Sequence, residues 1–326
     1  MTKPRVLCLG EVLFDFLSDQ PGAPLEAVTS WTPYPGGAPA NVACGLAKLG
    51  TSSGFIGCVG KDQAGEDLLK VLHDEGVDLA GVQRHPTAPT RGVYVVRSLE
   101  NDRHFAGFGS YDTSEFADTH LQADLLPAAL FENAEYLVMG TLELAYPHSA
   151  MAIDRALTLA DESYVKVFVD INWRPVFWKD PAVAPAIIHD LLPRIDFLKL
   201  AQEEADLLFG SHEPAAIAHA VETLEGVLVT AGEAGCAYWI NGHEGRLPAF
   251  SIDVEDTTGA GDGFVAGFVH QLCEKGIASL KEAGTVQKMV TYANAVGAIT
   301  ATRPGAIAAQ PTAAEVEAFL YLQEQG

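Results

Sequence analysis

Short apolar runs rich in Val, Ile and Phe punctuate this 326-residue chain at Val6 to Leu9, Phe55 to Val59, Tyr136 to Met139, Val165 to Val169, Phe197 to Leu200 and Gly226 to Thr230. Runs this short, with amphipathic stretches between them, read as strands buried on both faces and joined by the crossover helices that parallel neighbours require. The pattern predicts βαβ units around a mostly parallel sheet. Residues 39 to 49 illustrate the helical partner. Val42, Leu46 and Leu49 recur at helical spacing, Pro39 stands near the first position and Gly50 where a terminating glycine belongs.

Two segments break the rhythm. Residues 12–35, and 91–109 with the turn-like Glu100-Asn101-Asp102-Arg103, alternate in polarity and have no crossover helix between their halves. They predict strand pairs that project from the main sheet as a small β lid. No internal repeat, low-complexity tract or Pro/Gly/Ser linker divides the chain, so residues 1–326 read as one α/β domain with a minor β appendage.

Charge and composition exclude several classes of function. Lys and Arg total 20 against 43 Asp and Glu, a formal charge of -23. That field repels phosphate backbones and anionic membrane surfaces, so no nucleic-acid or membrane partner is expected. An anionic ligand must meet a helix N-terminus or a local cation. Cys8, Cys44, Cys58, Cys236 and Cys273 form no CxxC pair, which favours reduced thiols. The apolar run at Val6 is broken by Glu11 and Asp15 before it reaches the length of a leader, and no stretch reaches the roughly 18 apolar residues of a membrane span. A cytoplasmic location is expected, or a plastid if residues were trimmed. There is no GxxxxGK[ST], no GxGxxG after the first strand and no HExxH.

Asp256-Thr257-Thr258-Gly259-Ala260-Gly261-Asp262-Gly263-Phe264 precedes Val265, Phe268, Val269 and Leu272, which share a helical face with Phe264. A helix beginning near Gly259 exposes first-turn amides as an anion hole. Asp262 beside that hole can take a proton from a hydroxyl while the amides stabilise a transferring phosphoryl group. An aspartate in a first turn also serves simply as a cap. A second glycine motif, Gly36-Gly37-Ala38-Pro39-Ala40-Asn41, opens another helix.

These two motifs, in this order, resemble the two signatures of the PfkB (ribokinase-like) family of carbohydrate kinases. Gly57-Cys58-Val59-Gly60-Lys61-Asp62-Gln63-Ala64-Gly65, and the stretch from Ala293 to Ala306, resemble further family segments, so the likeness spans nearly the whole chain. The resemblance implies a three-layer α/β/α domain with a β-sheet lid. It also implies Asp262 as catalytic base and Gly259, Ala260 and Gly261 as anion hole. Asp15, Gly37 and Asn41 match positions that bind sugar hydroxyls, and Glu143 occupies a similar sugar-side position.

On the nucleotide side, Thr230, Gly232 and Gly235 match the family's ATP-contacting turn and Asn294 a position near the adenine; by itself the fragment reads as a simple β-turn. Asp256, Thr258, Thr300, Arg303 and Gly305 match positions that hold a monovalent cation, potassium, in related kinases. Glu204 matches a residue that organises magnesium through water, although Ala201 stands where the family often has Asn; Glu203 and Glu204 also suit the solvated start of a helix. Asp170-Ile171-Asn172-Trp173-Arg174 resembles a stretch of fructokinases, with Arg174 placed to meet a phosphate or a substrate oxygen, or else a surface carboxylate.

The resemblance thus implies ATP- and magnesium-dependent phosphorylation of a sugar hydroxyl, with D-fructose to fructose 6-phosphate the preferred reaction, and a homodimer formed through the lid. Another sugar substrate (2-keto-3-deoxygluconate, ribose or a nucleoside) and a kinase-like regulatory protein without activity are the alternatives.

Overall fold

A strand buried on both faces sends alternate side chains into two separate cores, and that alternation sets the layers of this protein. The computed structural model describes residues 3–98 and 103–325. Its strands are β1 Val6–Leu9, β2 Leu13–Ser18, β3 Trp31–Gly36, β4 Ser53–Gly60, β5 Asp78–His85, β6 Gly92–Arg97, β7 Arg103–Gly107, β8 Tyr136–Met139, β9 Lys166–Asp170, β10 Phe197–Ala201, β11 Gly226–Thr230, β12 Cys236–Ile240 and β13 His243–Leu247. Its helices are α1 Ala38–Leu49, α2 Gln63–Asp74, α3 Ala128–Phe131, α4 Pro147–Glu162, α5 Ala184–Leu191, α6 Gln202–Phe209, α7 Pro214–Ala220, α8 Ala260–Lys275, α9 Ala283–Ala301 and α10 Ala313–Gln325.

The main sheet has the order β13-β12-β11-β10-β9-β8-β1-β4-β5, parallel from β11 to β5 and antiparallel at the β12 and β13 edge. Val6, Cys8, Phe55, Val138, Phe168 and Phe197 point into one core, shared with residues of α1, α2, α8 and α9. Leu7, Leu9, Ile56, Leu137, Val169 and Leu198 point into the other, shared with α4 and α5. The chain turns to opposite sides of β1 when it forms β4 and β8, which places the topological switch, where open α/β sheets bind ligands, beside β1.

The predicted strands are present, with small shifts at their ends. The run read from Val165 to Val169 pairs as Lys166–Asp170, which carries Asp170 onto the end of the strand. The residues Phe264, Val265, Phe268, Val269 and Leu272 are buried as expected, and Gly263, Ala266, Gly267 and His270 of the same helix are buried too. Helix α8 lies inside the protein, wedged against α1 and α9, so small residues occupy its other faces. A side chain on Gly45 of α1 would come within 2.9 Å of Ala266, and one on Gly267 within 3.0 Å of the Ala293 backbone.

The lid is a four-stranded sheet of order β3-β2-β6-β7. Each expected strand pair is antiparallel, and β2 runs parallel to β6, which joins the two pairs into one sheet. Glu100, Asn101 and Asp102 of the expected turn lie outside the described residues. At the root of β6, Arg91 is completely buried and ion-paired with the buried Asp118. Its guanidinium also donates to Thr113 and lies over the rings of Phe108, Phe116, Tyr146 and Phe177, at 4.6 to 5.7 Å from their centroids. The Arg91 carbonyl accepts from Phe14 N–H of β2 (3.1 Å). The lid is therefore pinned to the main domain at the end where it leaves it.

Removing one member of a buried ion pair strands the other charge. Arg91→Met is expected to lower the unfolding free energy by about 3–5 kcal/mol, and adding Asp118→Asn to recover part of that loss, as read by urea denaturation at pH 7.

Candidate active site

Two helix starts meet at the C-terminal edge of the main sheet. Helix α1 begins after Gly37, whose φ of 104° and close approach to the Glu11 carbonyl leave no room for a side chain. Helix α8 begins after Gly259, in the left-handed region at φ 77° and against Ala306. Because α1 and α8 pack through small residues, Asn41 in the first turn of one reaches Asp262 in the first turn of the other. Asn41 Nδ2 donates to Asp262 Oδ2 at 2.7 Å. The Asn41 amide oxygen is buried and takes no donor among the described residues. Asp15, on β2, turns its carboxylate toward the residue before Gly37, since a Cβ on Gly36 would sit 3.0 Å from its Oδ2.

Asp262 is half-buried and its carboxyl is pushed up to about 6. Desolvation is the main cause, opposed by the Asn41 hydrogen bond; the charge of Asp170 adds to the rise, while Lys199 and Arg174 counter it. A carboxylate with this value takes up a proton near neutral pH more readily than an ordinary aspartate. The Ala260 N–H donates to the Thr257 carbonyl (3.2 Å) and that of Gly263 to Gly259 (2.8 Å). Of the three amides expected to form the anion hole, that of Ala260 is turned to the Thr257 carbonyl.

Not every expected sugar-side residue stands in the open. Glu143 follows β8 in a short 3₁₀ turn and is 1% exposed, with neither carboxylate oxygen hydrogen-bonded among the described residues. It lies under Gly10 and Pro39, where burial pushes its carboxyl well up and the nearby Glu11 pushes in the same direction. Arg174 is exposed, on the loop after β9, and close enough to act on Asp262.

Farther along the same edge, Thr230 ends β11 and pairs with Cys236 of β12, while Gly232 at φ 53° faces open space. A side chain on Gly235 would strike the Leu247 carbonyl. Asn294 reaches across from α9, donating to the Pro248 carbonyl (3.4 Å). A neighbouring loop pair is tied by Asp256, which accepts from Thr258 N–H (3.0 Å), Thr258 Oγ1 (2.7 Å) and Gly305 N–H (3.0 Å). The Thr300 hydroxyl donates to the Val296 carbonyl, and the Arg303 guanidinium donates to Glu315. Tyr34 of the lid lies over Gly305, 3.7 Å from where a Cβ would stand.

Comparison with known proteins places this geometry. The family model for pfkB family carbohydrate kinase matches residues 3–313. The chain belongs to the pfkB family of carbohydrate kinases. It is 32% identical to a probable fructokinase-2 of Arabidopsis thaliana over 98% of this chain and 97% of the relative, and 33% identical to a fructokinase-1 of Zea mays over 95% and 96%. Among solved structures, a fructokinase with bound ATP from Xylella fastidiosa superposes with a TM-score of 0.89 at 26% identity, covering 99% of this chain and all of that one. A Vibrio cholerae fructokinase double mutant with fructose, ADP and potassium bound gives 0.82 at 28% identity, covering 98% of each chain.

In this carbohydrate kinase, two buried charged residues near the Asn41 and Asp262 contact, Glu11 and Lys199, escape a reading of the sequence. Glu11 is buried, caps α1 by accepting from Ala38 N–H (2.8 Å), and is pushed up to about 7 by burial. Lys199 and Asp170 form a buried ion pair on neighbouring strands, with both Asp170 oxygens 3.0 Å from the ammonium. A lysine in the middle of an apolar run was the available signal. Glu204 is a tie as well: its carboxylate accepts from Trp173 N–H and Ala201 N–H, each at 2.8 Å, fixing the start of α6 against the loop after β9.

Because the folded-state value of Asp262 lies above that of an ordinary aspartate, its ionisation destabilises the folded state. That cost is absent below the ordinary aspartate range, where the group is protonated in both states, grows as pH rises above it and is complete above about 6. Asp262→Asn is expected to stabilise the protein by about 1–2 kcal/mol at pH 7.5, with the gain shrinking toward pH 4 in urea titrations. Asn41→Ala is expected to move the Asp262 carboxyl higher still, read by ¹³C NMR titration, because the bond it removes favours the ionised form.

Proposed function

We propose that this kinase transfers the terminal phosphoryl group of ATP to a hydroxyl of D-fructose, giving fructose 6-phosphate. The observation that carries the reading is the Asn41 to Asp262 hydrogen bond, because it joins the sugar-side motif to the residue that would remove the proton. Asp15 and Asn41 orient the sugar: a carboxylate accepts from paired hydroxyls, and the free amide oxygen of Asn41 adds an acceptor. Asp262 takes the proton of the attacking hydroxyl, and the amides at the start of α8 meet the charge on the phosphoryl group. The nucleotide lies toward Thr230, Gly232, Gly235 and Asn294. Fructose is preferred because the named relatives over nearly the full length are fructokinases, one of them crystallised with fructose and ADP.

Magnesium fits the residues present. Each Glu204 oxygen spends one lone pair on a backbone amide, which leaves acceptor sites for water on a hydrated cation, and Asp170 stands nearby. When bound, the ion would neutralise phosphate charge. Backbone carbonyls of the loops tied by Asp256 and Gly305 suit a monovalent cation, the role expected of Asp256, Thr258, Thr300, Arg303 and Gly305. Over these groups the lid excludes water, which otherwise competes with the sugar as acceptor.

Coupled ADP-release assays across a panel of sugars test the proposal: fructose is expected to give the highest kcat/KM, and turnover of a different sugar alone would refute the substrate. Asp262→Asn should lower kcat by about 10³-fold or more while ADP binding by calorimetry persists. In the wild type kcat/KM should fall tenfold per pH unit below about 6, where the base becomes protonated.

A further inference from the structure

Lys199 is 6% exposed, in the middle of β10, a strand whose other side chains are all apolar. Its ammonium lies 3.2 Å from the point that a Cβ on Gly261 would occupy, so it abuts the first turn of α8 where the anion-binding amides are. Among the described residues it hydrogen-bonds only to the two oxygens of Asp170. An ammonium has three N–H bonds, which leaves one for a ligand.

A buried ion pair contributes little to stability compared with apolar residues of the same size, because both charges lose their hydration. Stability alone therefore gives no reason for one at this spot. The other charges facing it are acidic: Asp262 on α8 and Glu204 on α6 both act on Lys199. A phosphate entering a chain of net charge -23 needs a cation to meet it, and this one is already in place.

We propose that Lys199 is a second catalytic residue, whose ammonium, held against the start of α8 by Asp170, binds the phosphoryl group as it passes from ATP to the sugar oxygen. This rests on the kinase reading above. In the step, the bond from the γ-phosphorus to the bridging oxygen breaks with its electron pair leaving on ADP. A bond forms from phosphorus to the sugar oxygen, and the hydroxyl proton goes to Asp262. Lys199 keeps its protons and turns its spare N–H to the equatorial oxygens, where charge accumulates. Asp170 is a positioning residue that fixes the ammonium and touches no substrate.

The test uses the full chain and two variants, Lys199→Met and the double variant Lys199→Met with Asp170→Asn, which leaves no stranded charge if the single change unfolds the protein. With sugar turnover established for the wild type, the folded variant is expected to lose about 10²- to 10³-fold in kcat, with sugar KM and ADP affinity moving less than about threefold. Affinity for ADP with aluminium fluoride and sugar, a mimic of the transferring group, should fall by a factor similar to kcat, which a purely structural role would not produce. A kcat within about threefold of wild type, or a loss shared equally by ADP and the mimic, would overturn the assignment. Absence of ADP release from the wild type with every sugar would instead show that the kinase reading itself has failed, and this inference with it.

Discussion

The geometry of this protein converges on one contact, the meeting of two helix starts at Asn41 and Asp262. Neither residue is placed by its own strand or loop alone. The contact exists because α1 and α8 cross through Gly45 and Ala266, residues small enough to let the backbones approach. It brings together segments 221 residues apart in sequence. The asymmetric neighbourhood of Asp262 follows: an amide on one side, the buried Lys199 and Asp170 pair on the other, and the exposed Arg174 beyond.

The sheet was legible because strands buried on both faces must be short, apolar and β-branched, and because the helices between them carry readable caps such as Pro39 and Gly50. The lid strands were legible for the opposite reason, alternation without a crossover. Less visible was the edge hairpin of β12 and β13, where His243, Glu244 and Arg246 look like a loop until paired with Cys236 to Ile240. The burial of α8 on all sides was also hidden, since Gly263 and Gly267 give no hydrophobic signal and count as core only through what they allow to come near.

At the site, the glycine motifs announced where backbone amides would be bare, and Asp262 and Asn41 lay within them. What a linear reading cannot show is pairing across strands. Lys199 and Asp170 are 29 residues apart, and only the parallel register of β9 with β10 sets them side by side. Glu143 was recognisable as a carboxylate after a strand, but its confinement under Gly10 and Pro39 depends on the fold of residues far from it in sequence.

The cage around Arg91 has a mechanical consequence. A sheet clamped at one edge to a rigid body behaves as a cantilever, so displacement is small at the root, where Phe14 N–H meets the Arg91 carbonyl, and grows with distance from it. Asp15 and its register partner Tyr34 sit close to that clamp, whereas Ser18, Trp31 and Arg97 lie at the opposite ends of their strands. The carboxylate of Asp15 would thus hold its place while the far ends of the strands swing, so that admission of a guest and its alignment would be governed by different parts of the same small sheet.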